Sequence, residues 1–343
     1  MNLYRALCCG RYDGQQRRIY QERTSTFSLF QARYGSRFTT PELMAAVGKL
    51  NATLLKSWSG NQQELDTFRQ YLVSALWREG KTYPFYLTKA YIKVGDSLPF
   101  YGSGRPQNVS ESLWSSLPET PIVRSDRRFQ TCSIVGSSGI LLGSGCGHEI
   151  DKAEFVIRFN VATVSGFKAD VGRKTNLTTL NPTYVRNRFG SLQSKANIKA
   201  FKAKMEQFRG QGSLLMLPAF GISGFQKISL RVAETLSGGD LMTPVYGDPR
   251  HFLAVKSLWQ PILNTRKLPT TGLYLLTAAF EFCEHINLFG AWPFEKSPAN
   301  RNVSYHYHDN VTQSTKHNFH GEFWYMLKMH NSGIIKLQYS DCL

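Results

Sequence analysis

Two short runs decide the fold class: Cys132-Ser-Ile-Val-Gly136 and Phe155-Val-Ile-Arg-Phe159. Each is apolar, rich in β-branched residues and closed by a turn signal, the pattern of a strand buried on both faces. Working outward, Leu177–Leu180, Ser213–Leu217 and Ile286–Phe289 read the same way. Between these runs, Gln193–Phe208, Gln226–Leu236, His251–Leu263 and Gly272–Glu284 carry helical periodicity. Strand–helix alternation predicts an α/β fold, a Rossmann-like, mostly parallel sheet flanked by helices.

The part of the chain before these runs differs. Pro41–Trp58 and Gln62–Trp77 show helical patterns, and Gly102–Asp126 is rich in Ser, Pro and Gly. The expected division is therefore residues 1–120, a helical stem-like region, and 121–343, a catalytic domain. The chain has 343 residues, with 42% hydrophobic and 13% aromatic content, which excludes global disorder. Lys and Arg number 41 against 24 Asp and Glu, a formal charge of +17. Such an excess suits an anionic ligand or surface. A nucleic-acid module would interleave bases with aromatics, and the basic stretch Arg186–Arg209 is not enriched in them, so no nucleic-acid partner is expected. No stretch reads as a membrane span, and the first 25 residues lack the apolar core of a signal peptide.

Six cysteines show neither CxxC nor zinc spacing. Cys132, Cys146, Cys283 and Cys342 are dispersed and fit two long-range disulfides or four core thiols equally well on spacing. Five sequons, at Asn51, Asn108, Asn176, Asn302 and Asn310, tip the balance toward a secretory compartment and glycosylation at these positions.

Ligands of parallel sheets sit beyond the carboxyl ends of the strands. Three segments fall there: Gly136-Ser-Ser-Gly with its following glycines, Asn160, and Pro269-Thr-Thr-Gly272. A hydroxyl before a helix is also an ordinary N-cap, so Thr270 and Thr271 have a purely structural reading. The glycine run has neither a Walker lysine nor the dinucleotide spacing. A denser cluster follows in Tyr305-His-Tyr-His-Asp309 and His317-Asn-Phe-His-Gly-Glu322, which hold four of the eight histidines. Imidazole is the natural general base for a hydroxyl nucleophile at neutral pH. A zinc reading of the same histidines stays open, weakened by the lack of HExxH.

These segments resemble the motifs of animal sialyltransferases. Cys132 through Thr175 is similar to the large sialylmotif, Leu268 through Gly290 to the small one, Tyr305–Asp309 to the third, and His317 with Glu322 to the very short H-x4-E motif. Asn181-Pro, Ala291-Trp-Pro-Phe294 and Cys342 place the resemblance nearest the α2,8-sialyltransferase branch. It implies a glycosyltransferase fold of GT-A-like type and an inverting transfer from CMP-sialic acid, without metal or other cofactor. The acceptor would be a glycoprotein or glycolipid glycan, itself ending in sialic acid. His317 matches the base, His306 the residue on the departing phosphate, and Glu322 a residue that orients the base or supports the local helix. Ser137, Asn160, Thr270, Thr271, Gly272, Trp292 and Tyr305 match substrate-binding positions. The resemblance pairs Cys132 with Cys283 and Cys146 with Cys342, and places the protein in the Golgi lumen. The family's type II membrane anchor is expected and is not found in this chain. Ser137, Phe159, Ala291, His308 and His320 depart from the branch pattern, which leaves galactose-type acceptors, or glycan binding without catalysis, as alternatives.

Overall fold

A computed structural model of the chain describes residues 38–76, 83–121, 123, 127–313 and 315–342; Cys8 and Cys9 lie outside them. At its centre is a seven-stranded sheet: β1 Phe129–Val135, β2 Phe155–Arg158, β3 Leu177–Thr179, β4 Leu214–Leu217, β5 Thr243–Tyr246, β6 Cys283–Phe289 and β7 Lys336–Gln338. The spatial order is β5-β4-β3-β2-β1-β6-β7, and every neighbouring pair is parallel. Strands β2, β3 and β4 are buried at every position, as a sheet covered on both faces requires. The helices are α1 Thr40–Gly48, α2 Ala52–Lys56, α3 Gln62–Leu76, α4 Pro182–Phe189, α5 Lys195–Met205, α6 Ser223–Leu236, α7 Pro249–Ile262, α8 Thr271–Phe282 and α9 Phe319–Asn331, with shorter turns between them. None in the described residues is long and apolar enough to cross a membrane.

Several boundaries differ from the sequence reading for local reasons. The pattern over Pro41–Trp58 is two helices, because Asn51 caps a fresh start by accepting the Leu54 amide at 2.9 Å. Gly272–Glu284 is not helical to its end. Cys283 has extended geometry and opens β6 directly, with no loop between helix and strand. Arg69 holds this junction, donating from Nη2 to the carbonyls of Cys283 (2.6 Å) and Glu284 (2.8 Å). Strands β5 and β7, unseen in the sequence, are the two sheet edges. Pro244 is tolerated in β5 because an edge strand need not use every N–H.

The division expected near residue 120 is not marked by a gap in packing. Leu43, Val47, Leu65, Phe68 and Leu72 share one hydrophobic core with Ile134, Val156 and Leu288 of the sheet. The Leu87 amide donates to Tyr246 O of β5 at 2.7 Å. Both implied disulfides are present. Cys132–Cys283 joins β1 to β6 (Cα–Cα 5.9 Å), and Cys146–Cys342 ties the C-terminal segment to the loop after β1 (Cα–Cα 4.9 Å).

Of the sequon asparagines, Asn51, Asn108, Asn302 and Asn310 are exposed. Asn176 is half-buried, and its Oδ1 accepts the Val156 amide at 2.8 Å, so a glycan there would have to precede closure of the sheet.

Candidate active site

Strand order reverses at β1, which has β2 on one side and β6 on the other. A crevice opens beyond the carboxyl ends of strands at such a switch point. Here it is a cavity of about 720 Å³. The loops after β1 and β6 approach closely because glycines face each other: a Cβ on Gly136 would sit 2.3 Å from Gly290 O. Gly139 lies as tightly against Ser304, and Gly139 N donates to Ser304 O at 2.9 Å. Tyr307 N donates to Ser137 O at 2.7 Å, which draws the Tyr305–Asp309 segment onto the β1 loop. Ser137 and Tyr305 both line the cavity.

Asn160 ends β2 in left-handed geometry (φ 51°), and the buried Val161 follows at φ 47°. A β-branched residue there is strained. Asn160 N donates to Thr179 Oγ1 (2.9 Å), and its Oδ1 accepts Asn181 N (3.0 Å), so the strained corner is pinned to the end of β3.

His317 and His306 face the same cavity from different segments. Nδ1 of His317 lies 2.9 Å from Leu268 O, which can only accept, so the proton sits on Nδ1 and Nε2 keeps its lone pair. Nδ1 of His306 lies 2.8 Å from Asp309 Oδ1, and its ring stacks on Tyr305 at 4.3 Å between centroids. Burial pushes the Asp309 carboxyl up, but the Val311 amide and His306 outweigh it and hold it below its ordinary value. Burial drives the neighbouring His308 down to about 4, so this ring is neutral at physiological pH.

Glu322 is not the partner of His317. It is 2% exposed, and its two oxygens take the Thr270 amide (2.8 Å) and the Thr270 hydroxyl. Burial raises its carboxyl to about 7 against these two bonds. Of the two roles expected for it, these contacts are those of local helix support: Glu322 is a positioning residue that clamps α9 to the start of α8, while the His317 imidazole is held by the Leu268 carbonyl. The same contacts occupy the Thr270 hydroxyl, which also caps α8 by accepting Leu273 N at 3.0 Å. The first two amides of α8, those of Thr271 and Gly272, have no intrahelical acceptor and lie at the cavity. Trp292 reaches the cavity but is 5% exposed, with Nε1 donated to Lys296 O (2.8 Å) and Phe294 and Phe323 edge-on against it. It forms wall rather than an open stacking platform.

All ten catalytic and substrate-binding candidates therefore border one cavity. Sequence reasoning missed Arg188 and Lys204, which border it from α4 and α5. The signal was the basic stretch Arg186–Arg209, read only as an argument against nucleic acid. Lys204 Nζ donates to Thr163 Oγ1 at 2.6 Å, and neither cation has a carboxylate within ion-pair distance among the described residues. The three carboxylates of the cavity wall are all engaged: Asp248 by Arg250, Asp309 by His306 and Glu322 by Thr270.

A sequence profile of glycosyltransferase family 29 (sialyltransferase) matches residues 87–334. This chain belongs to the sialyltransferase family. Similar curated members are alpha-2,8-sialyltransferase 8E of Rattus norvegicus and 8F of Mus musculus. The first is 34% identical over 241 residues, 68% of this chain and 62% of the relative. The second is 36% identical over 242 residues, 68% of this chain and 58% of the relative. The match thus spans about three fifths of these relatives' length. A solved mammalian sialyltransferase in complex with Gal-beta-1-3GalNAc-ortho-nitrophenol is 20% identical over 62% of this chain and 70% of its own, with a TM-score of 0.44. The sialyltransferase profile begins at residue 87, well inside the region first read as stem.

Proposed function

We propose that this sialyltransferase moves sialic acid from CMP-sialic acid to a glycan already ending in sialic acid, forming an α2,8 linkage with inversion. The observation that carries the reading is the pair of imidazoles, His317 and His306, sharing one cavity with the open amides of α8. The acceptor hydroxyl attacks the anomeric carbon while His317 Nε2 takes its proton. The bond to CMP breaks, and its electron pair goes to the phosphate oxygen. The His306 ring donates a hydrogen bond to that oxygen, and the amides of Thr271 and Gly272 receive the phosphate at a helix N-terminus. These donors serve a monophosphate leaving group, so the reaction needs no divalent ion. Arg188 and Lys204, with no carboxylate in ion-pair range among the described residues, suit a ligand bringing carboxylates, as donor and acceptor sialic acids both do. Disulfides and sequons support a secretory location, the Golgi lumen, and glycosylation at the exposed asparagines.

The test is an assay with CMP-sialic acid and matched acceptors ending in sialic acid or galactose, on glycolipid and glycoprotein carriers, with and without excess chelator. An acceptor lacking the carboxylate leaves a cation unpaired, a loss of about 2 kcal/mol or roughly 30-fold in rate. Rates should be unchanged by chelator. Equal or better transfer to galactose would overturn the α2,8 assignment. No transfer to any acceptor, with CMP still bound, would make the chain a glycan-binding relative without catalysis.

A further inference from the structure

His306, His308 and Asp309 form a cluster whose role in transfer uses only one member. Their ligating atoms all lie within 4.8 Å of one another. Asp309 presents Oδ1 to His306 Nδ1 at 2.8 Å and Oδ2 to His308 Nδ1 at 3.3 Å, and the two rings are stacked with centroids 5.2 Å apart. A tetrahedral zinc ion with bonds near 2.0–2.2 Å sets its ligands about 3.3 Å apart, so the existing N···O separations are already those of a coordination edge. The two contacts use different oxygens of Asp309, so a three-ligand site needs one oxygen to serve both nitrogens and the nitrogens to close on each other, from atoms that already lie within 4.8 Å.

We propose that His306, His308 and Asp309 form a binding site for a divalent transition ion of the zinc class, open to the cavity in its fourth position. Two imidazoles and one carboxylate select Zn²⁺, Ni²⁺ or Cu²⁺ over Mg²⁺ or Ca²⁺, which take oxygen ligands. The ligating atoms must be unprotonated to bind the ion. On binding, each ring presents Nδ1 to the ion and carries its one remaining proton on Nε2, and any second ring proton is released to solvent. His308, which departs from the branch pattern, supplies the third ligand. The ion would draw His306 away from the leaving group, so zinc should slow transfer. That consequence alone rests on the proposed function.

The experiment is equilibrium dialysis of the chelator-stripped full chain against Zn²⁺, comparing wild type with His308→Tyr and His308→Gln. Cobalt substitution reports tetrahedral coordination through its visible bands. The expected result is one zinc-dependent equivalent whose affinity falls at least tenfold in both variants, since even outer partners of a metal cost 10–100-fold. The cobalt bands should disappear in both. Near-ultraviolet circular dichroism identifies whichever variant keeps its fold, and that one decides. Equal uptake in wild type and folded variant, or none in wild type, overturns the site. Zinc uptake lost with His308 in a chain that shows no transfer would leave the site standing and remove the proposed function.

Discussion

His317 carries the sharpest expectation at the level of single residues. Its Nδ1 is committed to Leu268 O, so replacement by Ala removes one lone pair from the cavity and little else. We expect kcat to fall ~10²- to 10⁴-fold with CMP affinity nearly unchanged, measured by steady-state rates and calorimetric CMP binding. A variant retaining most of its turnover would remove His317 from the chemistry. Glu322 yields a different kind of prediction. Its folded pKa of about 7 lies above its ordinary 4.5, so the native state holds a proton that the unfolded chain releases. Stability from this group is full below pH ~4.5 and lost as pH rises through about 7, a change of about 3 kcal/mol. Denaturant melts from pH 4.5 to 8 should show the decline, and Glu322→Gln should flatten it. A wild-type curve flat over that window would show the carboxylate already ionised in the fold. The partner of Glu322 was not legible in sequence. The H-x4-E spacing joins His317 to Glu322 along the chain, whereas the carboxylate's contact, Thr270, lies in another segment.

The elements were legible where burial is two-sided. Strands such as Val156–Ile157 and Leu214–Leu217 announce themselves because every position is apolar. The edge strands Thr243-Pro-Val-Tyr and Lys336-Leu-Gln do not, since an edge has one neighbour and mixed burial. The register of α8 into β6 was also hidden, because a helix normally ends in a loop and this one ends in Cys283. Glycines at loop ends were read only as turn or ligand signals. In the structure, Gly136 instead sets the spacing of the β1 and β6 loops. Gly136→Ala should push Gly290 away and cost roughly 1–3 kcal/mol, with weakened CMP binding. Gly272→Ala is the steric control, since its nearest new contact is Thr270 Oγ1 at an ordinary 3.4 Å. Equal losses of stability in the two variants would mean that loop approach is not what Gly136 provides.

Across the whole molecule, the helical patterns before residue 120 show how little a sequence says about what a helix packs against. Helical patterns in Gln62–Leu76 look detachable, yet Phe68 packs edge-on to Phe280 and Arg69 grips the α8–β6 junction. No local signal predicts contacts made more than two hundred residues apart. The disulfides act over similar spans. Cys132 and Cys283 are separated by 151 residues, for which loop-closure entropy gives roughly 5 kcal/mol as an upper figure. The Cys132→Ala/Cys283→Ala pair should lower the denaturation midpoint accordingly, by a guanidinium titration against wild type. An unchanged midpoint would mean that the sheet itself already confines the unfolded chain.

The place of β1 at the centre of the sheet also governs how the chain is made. During synthesis β1 emerges early and can pair with β2, but its other edge stays bare until β6 appears, 151 residues after Cys132 by the cysteine count. At 5–20 residues per second that wait is roughly 8–30 s. Throughout it, the apolar centre of the sheet is an open template for any passing strand. Of the cysteines whose partners are described, Cys132 and Cys146 are already synthesised, and the partner of neither is yet made. Every disulfide that engages Cys132 or Cys146 before residue 283 leaves the ribosome is therefore a wrong one, and the chain's yield depends on a redox environment that keeps those two reduced or reshuffles them afterwards.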